Sequence, residues 1–356
     1  MSSVSEVYQY VVGVDTHAKI HRYAIVDAGT GRVLDEAGFP TTGAGLARAV
    51  GWIGRRTAGD LDAVLVSAEG TGSYGARLSK VLLGAGYRVV DAPSPKRDRG
   101  GDKNDTIDAI KAARSQLSKD AARLADARAG DLQECLKVLL AARERMSGES
   151  TRTINALTAL LRVYDLGLDA RKKPGYPQIR EVSRWRSRSE SSAVAVARAE
   201  AVRLASRALQ LRVELAANEK ELGRIVAAHV PVLLDMPGVG PFTAAVVLSV
   251  WSHPGRIHGE AAMAKIGGVA PIEVSSGSKN EHRLSRGGDR QLNRALHTIA
   301  RTRMRYDPQT IAYVERRTKQ GLTKARSRRC LKRYIARQLY RTLQASADAC
   351  PATVAA

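Results

Sequence analysis

Residues 8–91 constrain the fold most, because they alternate short apolar runs with helical patterns in a fixed order. Tyr8–Asp15, His21–Asp27 and Arg32–Phe39 are three strand-length runs, the last two separated by the turn Ala28-Gly29-Thr30-Gly31. Thr41–Arg55 follows with Leu46, Val50 and Ile53 at helical spacing and Thr42 placed to cap it. Asp62–Glu69 is a fourth strand, Tyr74–Leu83 a helix and Tyr87–Asp91 a fifth strand. Three strands, helix, strand, helix, strand is the order of a ribonuclease H-like α/β domain, with hairpin strands first and parallel crossovers after.

The first strand ends on Asp15 and the fourth on Glu69, and the KNDTIDA segment adds Asp105 and Asp108 at the start of a further helix. A spacing of three puts that last pair on one helical face. If the first and fourth strands are neighbours, Asp15 and Glu69 open at the same edge. Converging carboxylates repel one another unless they ligate a hard divalent cation such as Mg²⁺ or Mn²⁺, the arrangement of two-metal phosphoryl chemistry. The plainer reading of any single one is a helix cap or strand-end turn. His17 and His21 are placed to touch a phosphate or metal, but the plainer reading is a surface histidine at a strand end.

Leu132–Leu161 predicts one long helix. Residues 165–190, rich in Gly, Pro, Ser and Arg, predict a connector that is mobile or ordered only on a partner. Tyr176 and Trp185 there are placed to stack on unpaired bases, or simply lie in a solvated linker. A second long helix begins at Val194. Its positions Val194, Ala197, Ala201, Leu204, Ala208, Leu211, Leu215, Asn218, Leu222 and Ile225 alternate steps of three and four, a heptad seam with one polar register residue. The two helices predict a coiled-coil hairpin or dimerisation arm, with burial in a larger helical domain as the alternative.

Leu233–Ser249 reads as helix, Pro-Gly-Val-Gly turn, helix. It resembles a helix-hairpin-helix, in which the N–H groups around Gly238 and Gly240 would meet a DNA phosphate. Ala270–Gly288 follows, with Ser275, Ser276 and Ser278 around Gly277 and then Lys279, Arg283 and Arg286. A serine beside a glycine lets another backbone approach, and arginines hold phosphate bidentately. Any of the three serines suits attack on a phosphodiester; the plainer reading is a Ser/Gly loop feeding a basic helix. Arg290–Arg305 and Gln309–Leu343 read as basic helices, and Ala345–Ala356 as a frayed tail. Residues 279–343 hold 19 Lys and Arg against 4 Asp and Glu, while residues 1–115 are nearly balanced at 15 against 13. The net charge of +22 favours a polyanionic partner, nucleic acid before membrane. The three cysteines, Cys135, Cys330 and Cys350, lack any CxxC pairing, so a reducing cytosol is expected and a zinc ribbon is not. No apolar run approaches a membrane span, and no signal peptide is expected.

The ordered set GVDTHAK, SAEGTGSYG, KNDTIDA, MPGVGPFTA and GGVAPIEVSSGSKNEHRLSRGGDRQLNRALH resembles the DEDD-type transposases of the bacterial IS-one-ten and IS-eleven-eleven insertion sequences. The resemblance implies a ribonuclease H-like (RuvC-like) DEDD domain over 1–125, coiled-coil helices with a basic connector over 126–228, a helical transposase domain with the serine loop over 229–345, and a tail over 346–356. It implies metal on Asp15, Glu69, Asp105 and Asp108, and it puts the nucleophile on Ser276, before Gly277. Gly238, Gly240, Lys279, Arg283, Arg286 and Arg290 are the expected nucleic-acid contacts. The expected partners are double-stranded donor and target DNA, a structured noncoding guide RNA (the bridge RNA), and further copies of the chain, a homodimer joining into a tetramer at synapsis. In such a tetramer the acids of one subunit meet the serine of another, in a cytoplasmic, nucleoid-associated protein. KND departs from the commoner K-T-D or K-S-D, but the aspartate is kept. The competing expectations are a metal-dependent nuclease of the Holliday-junction resolvase type, using water and no covalent link, and a non-catalytic nucleic-acid binder.

Overall fold

The computed structural model describes residues 2–92, 105–276, 279–283, 285 and 287–349. The chain divides into two compact units, residues 1–130 with 251–258, and residues 131–250 with 259–356.

In the first unit a single turn, α1 (Val4–Val7), precedes β1 (Tyr10–Asp15), β2 (Ile20–Asp27) and β3 (Val33–Pro40). Then come α2 (Gly43–Arg56), β4 (Val64–Ala68), α3 (Ala76–Gly84), β5 (Arg88–Asp91) and α4 (Asp105–Leu117). The sheet order is β3-β2-β1-β4-β5. The first two pairings are antiparallel; β4 lies parallel to β1, and β5 parallel to β4. This mixed sheet is consistent with the ribonuclease H-like expectation.

Strand alternation sorts the core into two layers. Val12 and Val14 of β1 and Val64 and Val66 of β4 pack with Leu46, Trp52 and Ile53 of α2 and Leu78 and Leu82 of α3. Val11 and Leu65, one residue out of phase, pack on the other face with Ala113 and Leu117 of α4 and with Leu124. Each fully buried Leu or Ile here contributes about 1.5–3 kcal/mol of transfer free energy. Helix α2 starts where Thr42 accepts the Gly45 N–H at 3.2 Å, as its sequence predicts. His21 is 1% exposed and lies edge-on to Tyr23 at 6.4 Å between ring centroids. It is a core residue of β2, not the surface histidine expected, because its odd register turns it inward beside Tyr23.

Among its described residues the second unit is helical apart from one hairpin. Helices α5 (Asp131–Val163) and α7 (Ser192–His229) run antiparallel. Arg143 pairs with Glu219 at 2.8 Å and, a turn and a half further along α5, Glu149 pairs with Arg207 at 2.7 Å. Of the heptad positions, Ala197, Ala201, Ala208, Leu211, Asn218, Leu222 and Ile225 are buried. Alanines dominate one half of that seam, which lets the backbones approach closely.

The connector over 165–190 is ordered within the chain. Helix α6 (Tyr176–Val182) buries Ile179 and Val182 against α5 and α7, and Tyr176 and Trp185 pack on the same cluster. Arg212 lies over the Tyr176 ring at 4.1 Å and Arg198 over Trp185 at 5.1 Å. The ring faces expected to stack on bases are instead covered by arginines of α7.

Only a 3₁₀ turn (Pro231–Leu233) stands where a helix was expected before the Pro-Gly-Val-Gly turn. Pro231 forces Val230 out of helical geometry, to φ −142° and ψ 70°. Helix α8 (Pro241–Trp251) follows the turn, then α9 (Glu260–Ile266), β6 (Ile272–Ser276), β7 (Lys279–Arg283), α10 (Arg290–Tyr306), α11 (Pro308–Lys319) and α12 (Lys324–Ala349). The expected helix over 309–343 is thus two helices, broken near Gly321 at φ +83°. Helix α12 also outruns its expected end, with Ala347 buried. Cys350 and the rest of the expected tail lie outside the described residues. Among the described residues no helix is long and apolar enough to cross a membrane.

Candidate active site

Sheet register brings Asp15 and Glu69 to one edge. Val14 pairs with Ala68 in the parallel ladder, and the Glu69 N–H continues it by donating to the Val14 carbonyl at 3.1 Å. Thr16 donates its hydroxyl to the Glu69 carbonyl at 3.0 Å, fixing the two strand ends together. By alternation Asp15 shares the face of Val11 and Gly13, and Glu69 that of Leu65 and Ser67, the face that α4 covers.

Gly13 is what lets α4 come so close. A Cβ there would stand 1.9 Å from the Ala109 carbonyl oxygen. Ser67, on the same face of β4, donates to the Ala112 carbonyl at 2.9 Å. The helix is thereby laid along β1 with Asp108 near the strand ends. Asp105 is the first residue of α4, described by its backbone alone.

The electrostatics record the convergence. Burial, then the Asp15 and Asp108 carboxylates, raise the Glu69 pKa above the ordinary carboxylate range, and His17 opposes them. His17 lies 2.8 Å from Asp15 through Nε2, and its backbone N–H donates to His21 Nδ1 at 3.2 Å. The Asp108 carboxylate accepts from Lys111 at 3.3 Å. Among the described residues no three His, Cys, Asp or Glu side chains close into a metal site. The donor chemistry, carboxylates that disfavour one another's charge, nevertheless fits a hard divalent cation.

Sequence reasoning passed over Asp91. It ends β5 at the same sheet edge, accepts from Thr71 of the Glu69 loop and pairs with buried Arg256 at 3.6 Å. A third parallel strand ending on an acid was the signal available.

In the second unit, Ser275 and Ser276 are the last residues of β6, and Ser276 pairs across the hairpin with Lys279. The segment is therefore a hairpin rather than a loop; Gly277 and Ser278 lie outside the described residues, as does Arg286. Lys279 and Arg283 bracket β7, described by backbone alone. Arg290 opens α10, whose Asp289 cap accepts from the Gln291 and Leu292 N–H groups. Gly238, at φ +74°, is packed on α10, where a Cβ would meet the Ile299 carbonyl oxygen at 3.1 Å. The Gly240 N–H donates to the Thr243 hydroxyl at 3.0 Å. Both glycines of the turn are engaged within the chain.

Residues 12–165 match the sequence model of the DEDD transposases of IS110 type, described as "Transposase". Residues 230–315 match that of the "Transposase IS116/IS110/IS902 family". The four acids fall in the first match, and Ser276, Lys279, Arg283, Arg286 and Arg290 in the second. The chain is also similar to the "Insertion element IS110 uncharacterized 43.6 kDa protein" of Streptomyces coelicolor, 37% identical over 124 residues. That similarity covers 34% of this chain and 30% of the relative's own length. With both family segments present in chain order, one over the acidic sheet edge and the other over the serine hairpin, the chain belongs to the IS110 family of DEDD transposases.

Proposed function

We propose that this chain is a DNA recombinase that excises and inserts an insertion sequence. The observation that carries the reading is the convergence of Asp15, Glu69 and Asp108, felt in the raised Glu69 pKa, in a chain whose other unit bears a serine hairpin followed by strongly basic helices. Asp15, Glu69, Asp105 and Asp108 would hold the metal, Mg²⁺ or Mn²⁺. A divalent cation bound there supplies charge neutralisation and polarisation of the phosphate.

The chain's own residues do the rest. The Ser276 Oγ bonds to phosphorus and loses its proton, and the bridging oxygen of the cut strand leaves as a hydroxyl, giving a phosphoserine link. Lys279, Arg283, Arg286 and Arg290 offset the charge on the phosphate. Residues 1–125 supply the acids, 126–228 assemble copies through a coiled-coil arm, and 229–345 bring the serine. The acids of one copy act on the serine of another, in dimers that join as a tetramer. A structured guide RNA selects donor and target DNA.

The test is a trapping experiment. Wild type and Ser276→Ala are mixed with labelled element-junction DNA, Mg²⁺ and RNA transcribed from the element's flank, then run on denaturing gels. A protein–DNA adduct with wild type alone, lost without RNA or Mg²⁺, supports the reading. Equal cleavage by both proteins without an adduct replaces it with a water-using nuclease of the resolvase type.

A further inference from the structure

Helices α10 and α12 form a pocket of about 990 Å³ in the second unit. Arg290, Asn293, Arg294 and His297 line it from α10 at steps of three, one and three, which is one helical face. Arg328, Arg329 and Lys332 line it from α12, again on one face. Two cationic stripes thus look into the same space.

Its innermost cation is built in. Lys332 is only 8% exposed, and its ammonium donates to Asn293 Oδ1 at 2.8 Å. The Asn293 amide is itself oriented, because Nδ2 donates to the Gly267 carbonyl at 2.7 Å. A buried ammonium has three donors, and this one meets a single neutral acceptor among the described residues.

The acids on the wall are already engaged. Glu144 accepts from Arg294 at 2.8 Å and from Gln291 at 3.0 Å. Asp289 caps α10. Among the described residues no carboxylate pairs with Arg290, Arg328, Arg329 or Lys332. The excess is felt by His297, whose pKa is lowered by burial and then by Arg328, Lys332 and Arg301, and by Lys332, lowered by burial and then by Arg328.

We infer that this pocket seats consecutive backbone phosphates of an unpaired nucleic-acid strand, with Lys332 and Arg328 as the innermost ligands and Asn293 as the residue that positions Lys332. The volume exceeds what one phosphate fills, which suits phosphodiesters and their sugars entering together. Among the described residues its lining holds no Phe, Tyr or Trp, so it offers no aromatic ring for base stacking. Recognition is therefore of backbone, independent of base sequence. A duplex rests on a surface, whereas this cation lies below one. The inference rests on the nucleic-acid reading above but not on its chemistry, since it names a seat and no reacting atom.

The test measures binding of a fluorescein-labelled single-stranded DNA oligonucleotide by anisotropy across a KCl series, with inorganic pyrophosphate as competitor. Wild type is compared with Arg328→Gln, Lys332→Gln and, for loss of charge elsewhere on α12, Arg326→Gln. Arg328 is only half-buried, so its variant keeps the test open if Lys332→Gln misfolds. Each pocket variant should weaken binding about tenfold. Each should also lower the slope of log affinity against log salt by about 0.7. Arg326→Gln should change affinity by less than about threefold.

Pocket variants that bind like Arg326→Gln while melting like wild type would overturn the seat. Weakened pyrophosphate binding with unchanged oligonucleotide binding would overturn the strand as its occupant. A protein that shows these contrasts yet forms no DNA adduct keeps the seat and loses the recombinase reading. One that recombines without them loses only the seat.

Discussion

A Cβ added to Gly13 would lie 1.9 Å from the carbonyl oxygen of Ala109. No side chain fits that gap, so the glycine sets how near α4 lies to β1 and hence how near Asp108 comes to Glu69. Gly13→Val should push the helix off the sheet and destabilise the first unit by more than about 3 kcal/mol, in the range of severe core substitutions. Thermal unfolding measures it, and adduct formation should vanish with it. A variant that melts like wild type would mean that α4 is seated by other contacts.

Asn218 is a different kind of constraint. Its Nδ2 donates to the Leu139 carbonyl at 3.1 Å, while its Oδ1 is buried with no partner. An unsatisfied buried acceptor costs about 1–3 kcal/mol. Asn218→Leu should therefore raise the unfolding free energy of the second unit, by about 1 kcal/mol. It should also loosen the α5–α7 register, as loss of a seam asparagine does in coiled coils. Denaturant unfolding and spin-label distances between the two helices read the two effects separately.

Glu260 gives the second unit an acid-sensitive clasp. Arg337 and Arg341 of α12 both bond its carboxylate and hold its pKa below the ordinary carboxylate value. A lowered folded pKa means that the stabilisation is complete above the unfolded value and is lost as pH falls through the folded one. Wild type should exceed Glu260→Gln in stability above about pH 5 and converge with it in stronger acid. Urea midpoints across that range would show it, and a gap that persists unchanged in acid would rule the clasp out.

Trp185 should be silent toward nucleic acid. It packs on the α5–α7 cluster beneath Arg198, so the emission difference between wild type and Trp185→Phe should be unchanged by single-stranded DNA or RNA. Quenching of that difference by either would restore the base-stacking role its sequence context suggested.

The strand and helix order of residues 8–91 was legible because each element carries its own signal, an apolar run with period two or a stripe at helical spacing. The acids were legible for a related reason, since strand ends and a helix start are local events. The behaviour of 165–190 was not. Gly, Pro and Arg read as linker, and only the tertiary cluster of Ile179, Val182 and Ala201 makes that segment ordered. The pocket of Lys332 and Asn293 was hidden for the same reason, because the two residues stand on separate helices and each reads as an ordinary member of a basic stretch. Asp91 shows the intermediate case. Its position at a strand end could be read, but its ties to Thr71 and Arg256 could not.

The first unit borrows Trp251–His258 from far along the chain. Arg256 donates to the Asp126 carbonyl at 2.9 Å, and the Ser252 hydroxyl bonds the Ala129 backbone at 3.0 Å. During synthesis the sheet and its acids therefore leave the ribosome well before the segment that completes their unit. At ordinary elongation rates that interval is on the order of ten seconds. A nascent chain cannot finish its acidic unit until both long helices have been made, which ties the completion of one half of the protein to the translation of the other.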